Sequence, residues 1–172
     1  MNLARLQFGA GCLFAACIAL STIHPWGNPR SNTHPDSTLL EGSSVPESIR
    51  TLLGAKCGDC HSQSTHYPLY AHLAPVSWMM EHDIHEARSH LDMSRWQSMN
   101  NESRISVLTR MASVAHAGQM PPRAYVMLHP GARLSPQEQQ QIYEWARSER
   151  KRLREERTRF AGQPEQSGTE KP

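Results

Sequence analysis

The sequence predicts an all-α protein, and three observations carry that expectation. Apolar residues recur at spacings of three and four, as in Ile105, Leu108, Ala112 and Ala115, which fits one buried helix face. Ser135-Pro136-Gln137-Glu138 is a helix start: Ser135 caps, Pro136 suits the first turn and Glu138 completes a capping box. No stretch alternates apolar and polar residues in the way a half-buried strand requires. A length of 172 residues favours one domain with attached extras.

In chain order, residues 1–23 come first. Arg5 is the single charge of the first five residues, and Leu6 to Ile23 carries none. This reads as a signal peptide or a short membrane anchor, with Trp26 at an interface; the anchor is favoured. Phe14-Ala15-Ala16-Cys17 resembles a lipoprotein cleavage site only loosely, because Phe stands where Leu is usual. Residues 24–44, rich in Pro, Ser, Asn, Thr and Gly, read as a linker. Residues 46–56 predict a short helix with Pro46 and Glu47 in its first turn and Ile49, Leu52 and Leu53 on one face. Val76 to Leu91 predicts a second, with Trp78, Ile84 and Ala87 inward, and Ser94-Arg95-Trp96 a turn with a large anchor.

Asn100 or Asn101 caps the helix of Ile105 to Ala115, and Gly118 is its stop. Met120-Pro121-Pro122 is then an extended loop, since a residue before proline avoids the helical region. Tyr125 to Pro130 leads to a turn at Gly131. After Ser135, Ile142, Trp145 and Ala146 face inward. From Arg147 to Arg159 seven basic and three acidic residues predict a solvated helical extension, and 161–172 a disordered tail. The domains expected are thus 1–23, 24–44, 45–146, 147–160 and 161–172. Residues 45–135 hold eight Lys/Arg against seven Asp/Glu, so the positive excess lies late in the chain. No nucleic-acid partner is expected.

The chemistry concentrates in Cys57-Gly58-Asp59-Cys60-His61, the C-x-x-C-H pattern of c-type haem attachment. Its two thiols suit thioether bonds to porphyrin vinyl groups, and the adjacent imidazole suits iron ligation. Of four cysteines, Cys12 and Cys17 lie in the apolar N-terminal stretch, so none is left for a disulfide framework. With 6% aromatic residues and a mean hydropathy of −0.61, the core is small, and a large apolar cofactor would help stabilise it. Zinc would need a second ligand pair; His82 and His85, three apart, are only suggestive. A dithiol oxidoreductase would want the motif at a helix N-terminus after a strand, and here a helix precedes it.

With haem bound, His61 is the proximal ligand and the sixth position decides function. A methionine there suits electron transfer, an open site gas or peroxide chemistry. Met120 is the candidate, although ordinary packing against the porphyrin is the alternative; His82 and His129 come next. Trp78, Trp96, Tyr67, Tyr70 and Tyr125 are candidates to line the pocket. Arg88, Arg95 and Arg123 are either propionate partners or solvated charges, the latter being favoured.

The flanking blocks carry a resemblance. Ser62, Thr65, Tyr67-Pro68-Leu69-Tyr70, Ala74-Pro75-Val76-Ser77-Trp78, His82-Asp83-Ile84, Leu91-Asp92-Met93-Ser94-Arg95-Trp96, Met120-Pro121-Pro122, Tyr125, Leu128-His129-Pro130, Ala132 and Leu134-Ser135 follow the motif. Over residues 45–146 the chain resembles the small bacterial haem-binding domain proteins, usually anchored and with a single C-x-x-C-H. It departs at Leu69, where an aromatic residue is usual, at Ala87 for Gly, and at Asp92-Met93 for Asn-Phe. The resemblance implies one covalent haem c, an all-helical body similar to cytochrome c, and export to the periplasmic side of the inner membrane. It carries over Cys57, Cys60 and His61 as cofactor residues, with Met120 at the family's Met-Pro; His61 and Met120 would be the metal ligands. It names no reaction and no redox partner. The expected function is a monohaem electron carrier rather than an enzyme; the alternative is a haem enzyme or sensor with an exchangeable sixth site.

Overall fold

The computed structural model describes residues 3–28 and 38–161. Residues 29–37 of the expected linker and 162–172 of the expected tail lie outside the described residues. Helices α1 (Leu3–Leu20), α2 (Glu47–His61), α3 (Val76–His90), α4 (Asn101–His116), α5 (Arg123–Leu128) and α6 (Pro136–Ala161) follow in order, with 3-10 turns at Leu69–His72, Met93–Ser98 and Pro130–Ala132. No strand occurs among the described residues, as the absence of alternation implies. Two compact units divide the chain: Met1–Leu39 with Leu53–Ser94, and Leu40–Leu52 with Arg95–Pro172.

In the second unit α4 packs along α6. Each of these helices begins where local chemistry says it should. The Asn100 side chain accepts from Ser103 N at 2.8 Å, satisfying one of the unpaired amides at the start of α4. Ser135 and Glu138 close the capping box reciprocally, with Ser135 N donating to Glu138 Oε2 at 2.7 Å and Glu138 N to Ser135 Oγ at 3.2 Å. At the other end of α4, Gly118 takes φ +64°, a left-handed conformation that glycine adopts without a Cβ clash. Gly118 N then reaches Ala115 O, and Gln119 N reaches Val114 O, the paired bonds of a Schellman stop.

The buried faces are Leu108, Ala112 and Ala115 on α4, and Ile142, Trp145, Ala146 and Leu153 on α6. Each large apolar side chain among them contributes about 1.5–3 kcal/mol relative to exposure. The extension beyond Arg147 is therefore not solvated all round. Leu153 is 0% exposed, and the buried Glu149 accepts from both Arg152 and Ser44 N. Its charge is tolerated because the guanidinium fork meets it on the same helix.

In the first unit α3 buries Ser77, Glu81 and Ile84 rather than the expected Trp78, Ile84 and Ala87. Trp78 and Ala87 are half-buried. The reason lies 57 residues upstream: His24 Nδ1 donates to Glu81 Oε1 at 2.6 Å, so a carboxylate occupies the inward face. The same upstream segment is fastened at other points. Trp78 Nε1 donates to Ile23 O at 2.8 Å, Ala74 N donates to Ser21 Oγ at 2.8 Å, and Trp26 meets the His82 ring edge-on at 5.2 Å.

Among the described residues no helix is long and apolar enough to cross a membrane. The anchor expected in residues 1–23 is not supported by α1. At 18 residues α1 measures about 27 Å, at 1.5 Å per residue, short of a typical hydrocarbon core of about 30 Å. Arg5, Gln7, Gly9 and Gly11 also lower the apolar character of its first half.

Candidate functional site: the thiols and imidazole at the end of the second helix

The predicted helix over 46–56 runs further than expected and takes in the whole motif, ending at His61. Cys57 and Cys60, three residues apart, share one side of α2, and His61 follows on its last turn. Both cysteines are free thiols, half-buried. Burial, with the Cys60 charge beside it, pushes the Cys57 thiol up to about 12. Burial and the carboxylates of Asp59 and Asp83 push Cys60 up to about 11, against the Arg88 charge. Both therefore stay protonated further above pH 7 than an ordinary cysteine does.

His61 has a defined tautomer. Its Nδ1 lies 3.0 Å from Leu91 O, and a carbonyl only accepts, so Nδ1 carries the proton and Nε2 keeps its lone pair. Burial holds the imidazole below the ordinary histidine range, partly offset by backbone bonds to Leu91 and Ala87. The ring is thus neutral, oriented and basic at one nitrogen, which are the requirements of a metal ligand.

The loop after His61 fixes that arrangement. Ser62 Oγ donates to Gly58 O at 2.7 Å, and Thr65 Oγ1 donates to Asp59 O at 2.6 Å. Asp59 Oδ1 accepts from His66 N at 3.0 Å. Gln63 reaches the Leu91–Ser94 loop twice, N to Ser94 Oγ at 2.9 Å and Nε2 to Asp92 Oδ2 at 3.1 Å. Asp92 Oδ1 accepts from Ser94 N at 3.0 Å, an Asx turn that closes the loop locally. Leu91 O is thereby presented to the imidazole.

Arg88 differs from its expected role. It is not a solvated charge: Nε and Nη2 donate to Ser62 O at 2.9 and 2.6 Å, and Nη2 to Thr65 Oγ1 at 3.0 Å. Sequence reasoning named Arg88 and Leu91 but missed these roles, because each bond runs between a side chain and a backbone carbonyl distant in the chain. The one local signal was Asp92-x-Ser94, the Asx pattern beside Leu91. Arg95 and Arg123 are exposed.

The donor set fits haem. Two neutral thiols on one helix face and a neutral histidine with its proton on Nδ1 are the groups that thioether attachment and iron ligation need. The same unit leaves apolar surface uncovered that a porphyrin would bury, with Leu69 90% and Met79 64% exposed, and Tyr70, Leu73 and Val76 exposed beside them in sequence. Val76, Met79, Met80, Asp83 and Ala87 share one side of α3 by helical spacing, and Ala87 O is within reach of His61. A shallow groove continues this side, lined by Trp26, Pro75, Trp78, Met79, His82 and Asp83. Zinc fits less well: among the described residues no three His, Cys, Asp or Glu side chains group as a metal-ion site.

Met120 belongs to the second unit, where it follows the Gly118 stop and precedes α5, 39% exposed. His129 stacks on Tyr125 at 4.3 Å between ring centroids, and its Nδ1 lies 3.2 Å from Tyr125 O. His82 is exposed, 3.5 Å from Asp83 Oδ1. Trp96 is fully buried, and Tyr67 is half-buried.

An all-helical chain that ends a helix on two free thiols and a tautomerically fixed imidazole has the make-up of a haem-binding protein. Comparison with known families agrees: the family model described as the haem-binding domain matches residues 15–148, and the chain belongs to that family. The match reaches upstream of the expected 45–146 and takes in the segment fastened to α3. Neither the curated proteins nor the solved structures offer a match to this chain.

Proposed function

We propose that this protein is a monohaem c-type cytochrome that carries single electrons, with the haem attached through Cys57 and Cys60. His61 is the proximal ligand and Met120 the distal one. The observation that supports the reading is the His61 Nδ1 bond to Leu91 O, which puts the proton on Nδ1 and the lone pair on Nε2 of the residue that directly follows the second thiol. When bound, the haem supplies a one-electron couple at iron. The chain's own residues do the rest. Cys57 and Cys60 hold the ring in place, Leu91 O orients the imidazole, and the bare side of α3 offers apolar cover. Export to the periplasmic side follows from covalent attachment being made outside the cytoplasm, as the resemblance implies.

The exposure of Met120 favours one second reading, in which the sixth site is exchangeable and the protein is a sensor or enzyme for peroxide or a diatomic gas. The absorption spectrum separates the two. A Met–iron charge-transfer band in the oxidised protein, lost in Met120→Ala, supports the carrier. A high-spin spectrum that takes up CO at once contradicts it and supports the second reading.

A further inference from the structure

We propose that Arg88 is a positioning residue for the iron site: it clamps the peptide that follows His61 and fixes a positive charge beside the motif that favours the reduced state. The inference rests on the haem reading above and adds to it a residue that controls the couple.

The geometry is that of a clamp. Arg88 lies near the end of α3 and reaches back across 26 residues to the Ser62 carbonyl, which it holds with two nitrogens at 2.9 and 2.6 Å. Ser62 is 1% exposed, so this carbonyl belongs to an interior residue and needs a partner. The third bond, to Thr65 Oγ1, continues through that hydroxyl to Asp59 O, inside the motif. One guanidinium thus fixes the residue after His61 and, through Thr65, a residue between the two thiols. Bonds from a charged donor are about twice as strong as neutral ones, and the planar fork holds direction as well as distance.

The charge has its own consequence. An arginine guanidinium carries a permanent positive charge. Arg88 acts on Cys60, where its charge opposes the upward push of burial. A thioether formed there would feel the same field. A fixed cation disfavours the oxidation state with the greater positive charge, which for a one-electron iron couple is the oxidised one. On α3 the opposing charge is Asp83, which faces Cys60 from the side of the groove. Arg88 differs from it in being locked by three bonds.

The test is spectroelectrochemical titration of the full-length haem protein and its variants, beside urea unfolding of the haem-free chains. Arg88→Gln removes the charge and is expected to lower the reduced-to-oxidised ratio at a fixed applied potential by about tenfold, about 59 mV for one electron. Arg88→Lys keeps the charge without the fork, so its ratio stays within about threefold of wild type while its urea midpoint falls. Thr65→Val opens the third bond and keeps the charge, so its ratio also stays within about threefold of wild type while its urea midpoint falls, and a ratio that moves as far as in Arg88→Gln counts against the charge argument. An Arg88→Gln ratio within about twofold of wild type, with haem attached, overturns the proposal, as does an Arg88→Lys ratio that moves as far as Arg88→Gln. If Arg88→Gln does not accumulate folded, an unchanged urea midpoint in Arg88→Lys overturns it alone. A wild-type chain without covalent haem would end the haem reading instead, leaving the urea comparison to judge the clamp.

Discussion

The pairing of His24 with Glu81 gives a stability prediction that follows from burial. Glu81 is 2% exposed; Oε1 accepts from His24 Nδ1 at 2.6 Å, and Oε2 has no hydrogen-bond partner among the described residues. Truncation by His24→Ala leaves a buried carboxylate with neither oxygen bonded to the protein. Breaking a fully buried charged pair from one side costs about 3–5 kcal/mol. The His24 side chain is itself 26% exposed, so water reaches the gap in the variant and the cost falls to about 2–4 kcal/mol, roughly 30- to 1,000-fold in the folding equilibrium. Glu81→Leu in the same background removes the stranded charge, and the double variant should regain at least half of the loss. Urea unfolding of the full-length chain, followed by helical circular dichroism, measures all three. A loss below about 0.5 kcal/mol in His24→Ala, or a double variant no more stable than the single, would refute the reasoning. The result bears on the site because α3, which this pair fastens, also carries Arg88 and the side that faces His61.

Three further outcomes are expected. In the haem-free chain the thiols of Cys57 and Cys60 sit at about 12 and about 11 against ordinary values of 9.0. Raised folded values mean that stability is fully present below pH 9 and lost as pH climbs toward 11 and 12; melting between pH 8 and 11 should show the fall, and Cys57→Ser with Cys60→Ser should remove it. Leu153→Ala, at a side chain 0% exposed in the charged part of α6, should cost about 2–5 kcal/mol, whereas a wholly solvated extension would lose almost nothing. Ser135→Ala should cost about 1 kcal/mol by opening the capping box, read as a lower urea midpoint with unchanged slope.

What was legible in the sequence was local. Ser135 with Glu138, Asn100 with Ser103 N, and Gly118 at its left-handed turn act within three or four residues, so the order of types along the chain reveals them. The motif was legible for the same reason, since thiols and imidazole lie within five residues. α5 escaped notice because Pro121-Pro122 and His129-Pro130 bound a segment of only six residues, too short for a periodicity. Glu81 was unreadable as an inward residue: a glutamate on an amphipathic pattern looks solvated until His24 is brought to it. Arg88 was unreadable in its role because its main partner is a backbone carbonyl, and every residue has one. Trp78 was expected inside as one of three inward positions on its helix, yet it is half-buried and its indole N–H donates to Ile23 O. The membrane span expected of residues 1–23 rested on composition alone, and α1 does not support it.

The central claim is that Cys57 and Cys60 hold one haem whose iron His61 ligates. The most direct measurement is the intact mass of the denatured full-length protein, produced with haem-attachment machinery, together with the mass of the peptide containing residues 57–61. The account predicts one haem retained through denaturation on that peptide, absent in Cys57→Ala with Cys60→Ala. A denatured chain at its unmodified mass, with Cys57 and Cys60 both free to alkylate, would contradict it.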